Sequence, residues 1–243
     1  MPPPSTQRTA AAGGALLLAT ATLAGCAGGD EPRGVRSPAP STTTSAASRP
    51  TTPTPTPAEQ RASDLAREGL TAAYTATYAL QRAGAGDPAA TVRIYKLGTS
   101  YRVDVARGGA TSLLMSTAEG PVSCQVRGSR RTCLLVAGPG ERPPRLFDPG
   151  LQRLVTDVLE AVSGGDGLTV EGAGTMAAAD GLPSATCFRI SGGEVAPGEY
   201  CLTDGGVPRR ATYGSGTLEL TELAKPPASS VFRPPVRPTP LPT

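Results

Sequence analysis

The stretch Cys124-Gln125-Val126-Arg127-Gly128-Ser129-Arg130-Arg131-Thr132-Cys133 reads as one β-hairpin, and that reading sets the kind of fold. Gly128-Ser129 suits a two-residue turn. The turn pairs Arg127 with Arg130, Val126 with Arg131, Gln125 with Thr132 and Cys124 with Cys133. Counted outward, the cysteines form a non-hydrogen-bonded pair, whose Cα atoms stand about 4.5 Å apart. That lies inside the ~4.4–6.8 Å range of disulfides. Cys187 and Cys201 then pair with each other, over a longer hairpin turning at Gly192-Gly193 and Pro197-Gly198. A four-cysteine metal site is the competing reading, but the CxxC spacing of such sites is absent, so no metal is expected.

The same alternation extends outward from the hairpin. Tyr74, Ala76, Tyr78 and Leu80 share one face, with Thr75 and Thr77 opposite. Ala90, Val92 and Ile94 do likewise, as do Tyr101, Val103 and Val105, and segments 110–117, 121–127 and 130–137 follow. Turn signals separate them at Gly84-Ala85-Gly86-Asp87-Pro88, Gly98, Gly108-Gly109 and Glu119-Gly120-Pro121. Strands about ten residues apart joined by tight turns make an antiparallel meander. A helix precedes it: Thr56 caps, Pro57 starts, Glu59 completes a capping box, and Ala62, Leu65, Ala66, Gly69, Leu70 and Ala73 recur at helical spacing. A second helix follows it, capped by Asp148, started by Pro149 and stopped by Gly164. Leu151, Leu154, Val155, Val158, Leu159 and Val162 form its stripe. Strands resume at 168–172, 175–179, 184–191, 199–203, 207–213 and 216–223, with Asp204-Gly205-Gly206 as a hairpin turn. The Pro-rich tail 226–243, anchored by Phe232, should lie over the domain surface or stay mobile.

Composition removes several chemistries. The chain of 243 residues has no His and no Trp, so His-based triads, His-ligated zinc and His proton shuttles are excluded. Its net charge of +3 comes from the ends. Six of the 23 Lys and Arg (Arg8, Arg33, Arg36, Arg49, Arg233, Arg237) lie outside residues 58–225, against two of the 20 Asp and Glu (Asp30, Glu31). The near-neutral middle gives no footprint for nucleic acid. No Gly-x-Ser-x-Gly elbow, P-loop or dinucleotide fingerprint occurs, and Asp157 and Glu160 lie off the apolar stripe of their helix. Neither catalysis nor a cofactor is expected.

The N-terminus sets the address. Arg8 precedes a small, apolar run from Ala10 to Ala24 that would reach only ~22 Å as a helix, against ~30 Å of hydrocarbon. A cleaved export signal over 1–25 fits better than a membrane span. Leu23-Ala24-Gly25-Cys26 resembles a bacterial lipobox. The resemblance implies that Cys26 receives a diacylglyceryl group and becomes the first mature residue, anchoring the protein to the extracytoplasmic face of the cell membrane. Residues 26–57, rich in Pro, Ser and Thr, form a solvated tether of about 30 Å as a coil.

Helix, six strands, helix and about five more strands is an α+β layout: a curved antiparallel half-barrel of about eleven strands covered by two or more helices over 58–225. It resembles the LolA-like lipoprotein carriers and the LppX/LprAFG lipoproteins of actinobacteria. Tyr74-Thr75-Ala76-Thr77-Tyr78, Tyr101-Arg102-Val103-Asp104, Tyr200-Cys201-Leu202-Thr203-Asp204-Gly205, Val207-Pro208-Arg209-Arg210 and Phe232-Arg233-Pro234-Pro235 carry the resemblance. It implies an apolar cavity that binds or shuttles a lipid or glycolipid in the cell envelope. Candidate lining residues are Tyr74, Tyr78, Val92, Ile94, Tyr101, Val103 and Leu114 on the sheet, opposed by Leu154, Val158 and Leu159. An ordinary packed core explains the same residues. The alternative is a non-catalytic, surface-tethered module that binds an envelope protein or wall polymer through Arg127, Arg130 and Arg131, with Arg142 and Arg145 near them in sequence.

Overall fold

Capping fixes where the first helix begins. Thr56 Oγ1 accepts from the Glu59 amide at 3.2 Å, and Glu59 Oε2 accepts from the Thr56 amide at 2.6 Å. With Pro57 leading, this starts α1 (Pro57–Thr71), which buries Ala62, Leu65, Ala66 and Gly69 along one stripe. The structure, a computed structural model, describes residues 54–82, 90–147, 156–165, 167–193, 195–214 and 216–241. The export signal, Cys26, the tether up to residue 53, the 84–88 turn, Leu154 and the start of the second helix lie outside the described residues.

After α1 the chain runs through β1 (Ala73–Arg82), β2 (Ala90–Leu97), β3 (Ser100–Arg107), β4 (Ala110–Thr117), β5 (Gly120–Arg127) and β6 (Arg130–Leu135). It then crosses through α2 (Asp157–Gly164) to β7 (Leu168–Met176), β8 (Ala185–Gly192), β9 (Gly198–Thr203), β10 (Pro208–Tyr213) and β11 (Gly216–Ala224). A 3-10 turn (Ser229–Phe232) and the short β12 (Thr239–Pro240) follow. All twelve strands join one open sheet in the order β12-β6-β5-β4-β3-β2-β1-β11-β10-β9-β8-β7. Two meanders are thus sewn together where β1 pairs with β11. Strand twist accumulates over so many strands and curls the sheet.

Four details differ from the sequence reading. The twelfth strand comes from the tail, where Thr239 and Pro240 run parallel to Leu134 and Leu135. Segment 168–172 and the first two residues of 175–179 are one strand, β7, which ends at Met176 and whose register shifts at a bulge between Gly172 and Gly174. β6 ends at Leu135 rather than residue 137. The described part of α2 starts at Asp157, and its cap is Gly165, with φ 73° and its amide donating to Ala161 O at 2.9 Å.

The tail is held at the carbonyl of Val231, next to Phe232, whose own side chain is only partly buried. Arg102 grips Asp104 through two bonds of 2.7 and 2.8 Å and uses its other nitrogen to donate to Val231 O at 2.9 Å. The tail therefore straps over β3 and β4 on the face away from the helices and ends on the β6 edge.

Both disulfides form in the expected register. Cys124 faces Cys133 with Cα atoms 4.0 Å apart, and Cys187 faces Cys201 at 3.9 Å. Each nucleates a small cluster on the sheet's outer face, Leu113, Met115 and Val122 around the first and Ala185 beside the second. Paired cysteines of this kind persist in an oxidising, extracytoplasmic compartment. Among the described residues no helix is long and apolar enough to cross a membrane.

Candidate functional site on the helix-covered face

Period-two alternation sends every second side chain of the sheet toward the helices. Tyr74, Ala76 and Tyr78 of β1 stand beside Lys96, Ile94 and Val92 of β2, and these beside Tyr101, Val103 and Val105 of β3. Leu114 continues the central row on β4. From the other meander come Phe188, Ile190, Tyr200, Leu202, Ala211, Leu218 and Leu220. Val158, Leu159 and Val162 of α2 and the apolar stripe of α1 close over them.

Nine of the ten lining candidates therefore meet in one cluster: Tyr74, Tyr78, Val92, Ile94, Tyr101, Val103, Leu114, Val158 and Leu159. Leu154 lies outside the described residues. None of the nine is more than 8% exposed, so the interior is close-packed rather than an open chamber. An opening exists at one side. The segment after β6 crosses the inner face and sets Leu146, 88% exposed, and Phe147 over Leu114 and Ser123. The cleft between them has a volume of about 200 Å³, with Ser112 and Gln125 at its rim.

Three polar groups lie inside this face, and of the residues that carry them only Lys96 was not among those expected from the sequence. The hydroxyls of Tyr74 and Tyr78 are buried with no hydrogen-bond partner among the described residues. An unpartnered buried hydroxyl costs about 1–3 kcal/mol, which an internal water or a polar guest atom offsets. Replacing Tyr78 with Phe is thus expected to leave the empty protein as stable or up to about 1 kcal/mol more stable in a urea titration. A loss of 2 kcal/mol or more would show that the hydroxyl is satisfied.

Lys96 is the third. It is 2% exposed, and its ammonium donates to Leu70 O at 2.8 Å and Gly98 O at 2.7 Å. It thereby closes the C-terminal end of α1, where carbonyls and the helix dipole favour a cation. The only hint in the sequence is that position 96 is in phase with Val92 and Ile94.

Burial also sets the response to alkali. Desolvation pushes the phenols of Tyr74, Tyr78 and Tyr213 above their ordinary value, and that of Tyr200 up to about 12. Above pH ~10 the unfolded chain releases these protons while the folded one keeps them, so stability falls as pH rises. Desolvation lowers Lys96, which acts in the opposite sense: the folded state sheds that proton first, and stability rises with pH up to ~10.5. Four phenols outweigh one ammonium. The urea midpoint is expected to drop between about pH 9 and about pH 11, with the absorbance of these four tyrosinates appearing only on unfolding.

The arginines separate into different roles. Arg127, Arg130 and Arg131 are exposed at the β5–β6 tip. Arg142 instead approaches Asp157 and Glu160 of α2 at 3.8 and 3.6 Å, tying the crossing segment to that helix. Arg209 was not anticipated. The β10 register shifts between Pro208 and Arg210, and the extra residue, Arg209, is buried and donates to Ala177 O at 2.7 Å and to Pro183 O. It pins the β7–β8 connection. Cys187, Glu199 and Cys201 lie within ligand distance of one another. The two sulfurs are bonded together and Glu199 is paired with Arg210 at 2.7 Å, so no thiolate is left for a metal.

No protein-family model and no curated protein matches the chain. Among solved structures it is similar to the crystal structure of MucB, at 17% identity over 72% of this chain and 62% of that one, with a TM-score of 0.38. It is also similar to MucB in complex with MucA(peri), at 15% identity over 72% and 59%, with a TM-score of 0.39. The MucA/MucB complex of Pseudomonas aeruginosa matches at 16% identity over 72% and 60%, with a TM-score of 0.40. The chain spans about three fifths of the length of the structures it matches.

Proposed function

We propose that this is an exported, lipid-anchored protein whose disulfide-stapled head binds a lipid-like ligand between its sheet and the segments that cover it. It works without catalysis. The observation that carries the reading is the cleft over Leu114 and Ser123, which opens directly onto the continuous apolar cluster of the inner face. Because that cluster is packed when empty, an acyl chain enters by parting Leu146 and Phe147 from the sheet rather than by filling a preformed void. The cleft sets Leu113, Leu114, Leu146 and Phe147 against the polar Ser112, Ser123 and Gln125, which provides both apolar contact and a few polar groups.

Filling the cleft tests the reading. Ser123→Leu adds an apolar side chain at its floor, and the variant is expected to lose uptake of a fluorescent fatty acyl probe while keeping both disulfides and its circular dichroism. Undiminished uptake would contradict the site. The anchor is tested separately: Cys26→Ala is expected to move the protein from the membrane fraction to the soluble one, and a variant as firmly membrane-bound as the parent would contradict the mooring.

A further inference from the structure

The inner face of β3–β6 changes character in regular steps toward the end where the β3–β4 and β5–β6 turns lie. The rung through Val103, Leu114, Ser123 and Leu134 is mostly apolar. The next one on the same face holds Val105, Ser112, Gln125 and Thr132, and the outermost holds Arg107, Ala110, Arg127 and Arg130. Residues paired across strands share a face, and so do residues two apart along a strand.

Like charges directly opposite each other destabilise a sheet. Arg127 and Arg130 are such a pair. Both are exposed, and neither side chain makes an ion pair or hydrogen bond to another described residue. Arg107 stands on the same rung. Asp104, the carboxylate of β3, is on the opposite face and is gripped by Arg102. One rung inward, Ser112 Oγ donates to Gln125 Oε1 at 2.9 Å, which leaves the Gln125 amide nitrogen as a donor. Gln125 is only about 7 Å along the strand from Arg127, within the length of an arginine side chain.

We infer that this corner is the head-group site of the ligand, and that the ligand is a lipid with an anionic phosphodiester head. Arg127 and Arg130 take the phosphate oxygens, and the Gln125 amide supports a further oxygen. The acyl chain runs over Ser123 and Leu114 beneath Leu146 and Phe147. Guanidinium groups match phosphate with paired hydrogen bonds, so the repulsion between the two arginines is relieved only when the anion is present. The inference rests on the ligand reading above and adds the charge of the head and the end of the cleft at which it sits.

The test uses the full chain carrying Cys26→Ala and two single-chain lipids with the same acyl chain, lysophosphatidylglycerol and the uncharged monoacylglycerol, below their aggregation concentrations. The parent is expected to bind the anionic lysolipid about ten-fold more tightly. The Arg127→Gln/Arg130→Gln variant should lose that preference and keep the parent's affinity for the uncharged one. Inorganic phosphate at matched ionic strength should not displace either. Equal affinities in the parent, an equal loss of both in the variant, or displacement by phosphate alone would each overturn the head-group site while leaving the ligand reading standing. Binding of neither lipid by the parent would overturn both.

Discussion

Replacing Gly206 with valine is expected to cost the head about 3 kcal/mol, read as a lower urea midpoint with an unchanged slope. The cause is the docking of α1 on the β9–β10 turn. Gly206 adopts φ +70°, and a Cβ there would lie 2.1 Å from Gly69 N and 2.3 Å from Leu65 O. Both are backbone atoms of α1, so no rotamer change relieves the clash. Gly69 has the reciprocal constraint, its Cβ position lying 2.5 Å from Gly206 O. Helix and turn meet glycine to glycine. Overpacking costs about 1–3 kcal/mol and a β-branched residue at positive φ adds strain of similar size. The exposed Arg61–Asp204 pair at the same junction contributes little by comparison: at 49% and 81% exposed, its charges are well screened. Removing it with Asp204→Asn should change the unfolding free energy by less than about 1 kcal/mol. The two variants together separate close packing from charge as the force that seats α1.

Loss of the second disulfide, by Cys187→Ala with Cys201→Ala, is expected to cost about 3 kcal/mol. The bridge joins residues 14 apart and restrains the unfolded chain accordingly. The bridge of separation 9 restrains a shorter loop, so Cys124→Ala with Cys133→Ala should cost less by a few tenths of a kcal/mol in the chain-entropy account. Position adds to loop length. Each bridge is the buried centre of a small cluster on the outer face, which elsewhere carries polar groups such as Thr75 and Thr77 on β1. Mass-monitored urea titration with and without reductant reads both effects. Equal midpoints in the parent and in the Cys187/Cys201 variant would show that the bridges do not support the fold.

The pairing of the β5–β6 hairpin was legible because a two-residue turn fixes it one residue at a time, down to Cys124 against Cys133. Most of the inner face was legible for a similar reason: Tyr74, Val92 and Tyr101 belong to strands whose alternation is unbroken, whereas Leu114 lies in the buried run Leu113-Leu114-Met115. Legibility failed where that alternation is interrupted. The bulge at Gly172–Gly174 shifts the β7 register, so one strand read as two. The bulge that introduces Arg209 puts a buried cation in a strand that looked ordinary. Lys96 has the inward phase but the wrong polarity, and the carbonyls of Leu70, at the end of α1, and of Gly98 explain its burial. The twelfth strand is parallel and two residues long, and Pro240 gives no strand signal. The cleft depends on Leu146 and Phe147, which no periodicity marks because they belong to a connection.

The central claim is that an apolar guest sits between sheet and cover, and native mass spectrometry of the full chain purified from a glycolipid-producing host tests it most directly. The account predicts a discrete added mass that disappears on delipidation and is restored by a lysolipid carrying a phosphate head. A single mass equal to the polypeptide with its anchor, before and after exposure to that lysolipid, would contradict it.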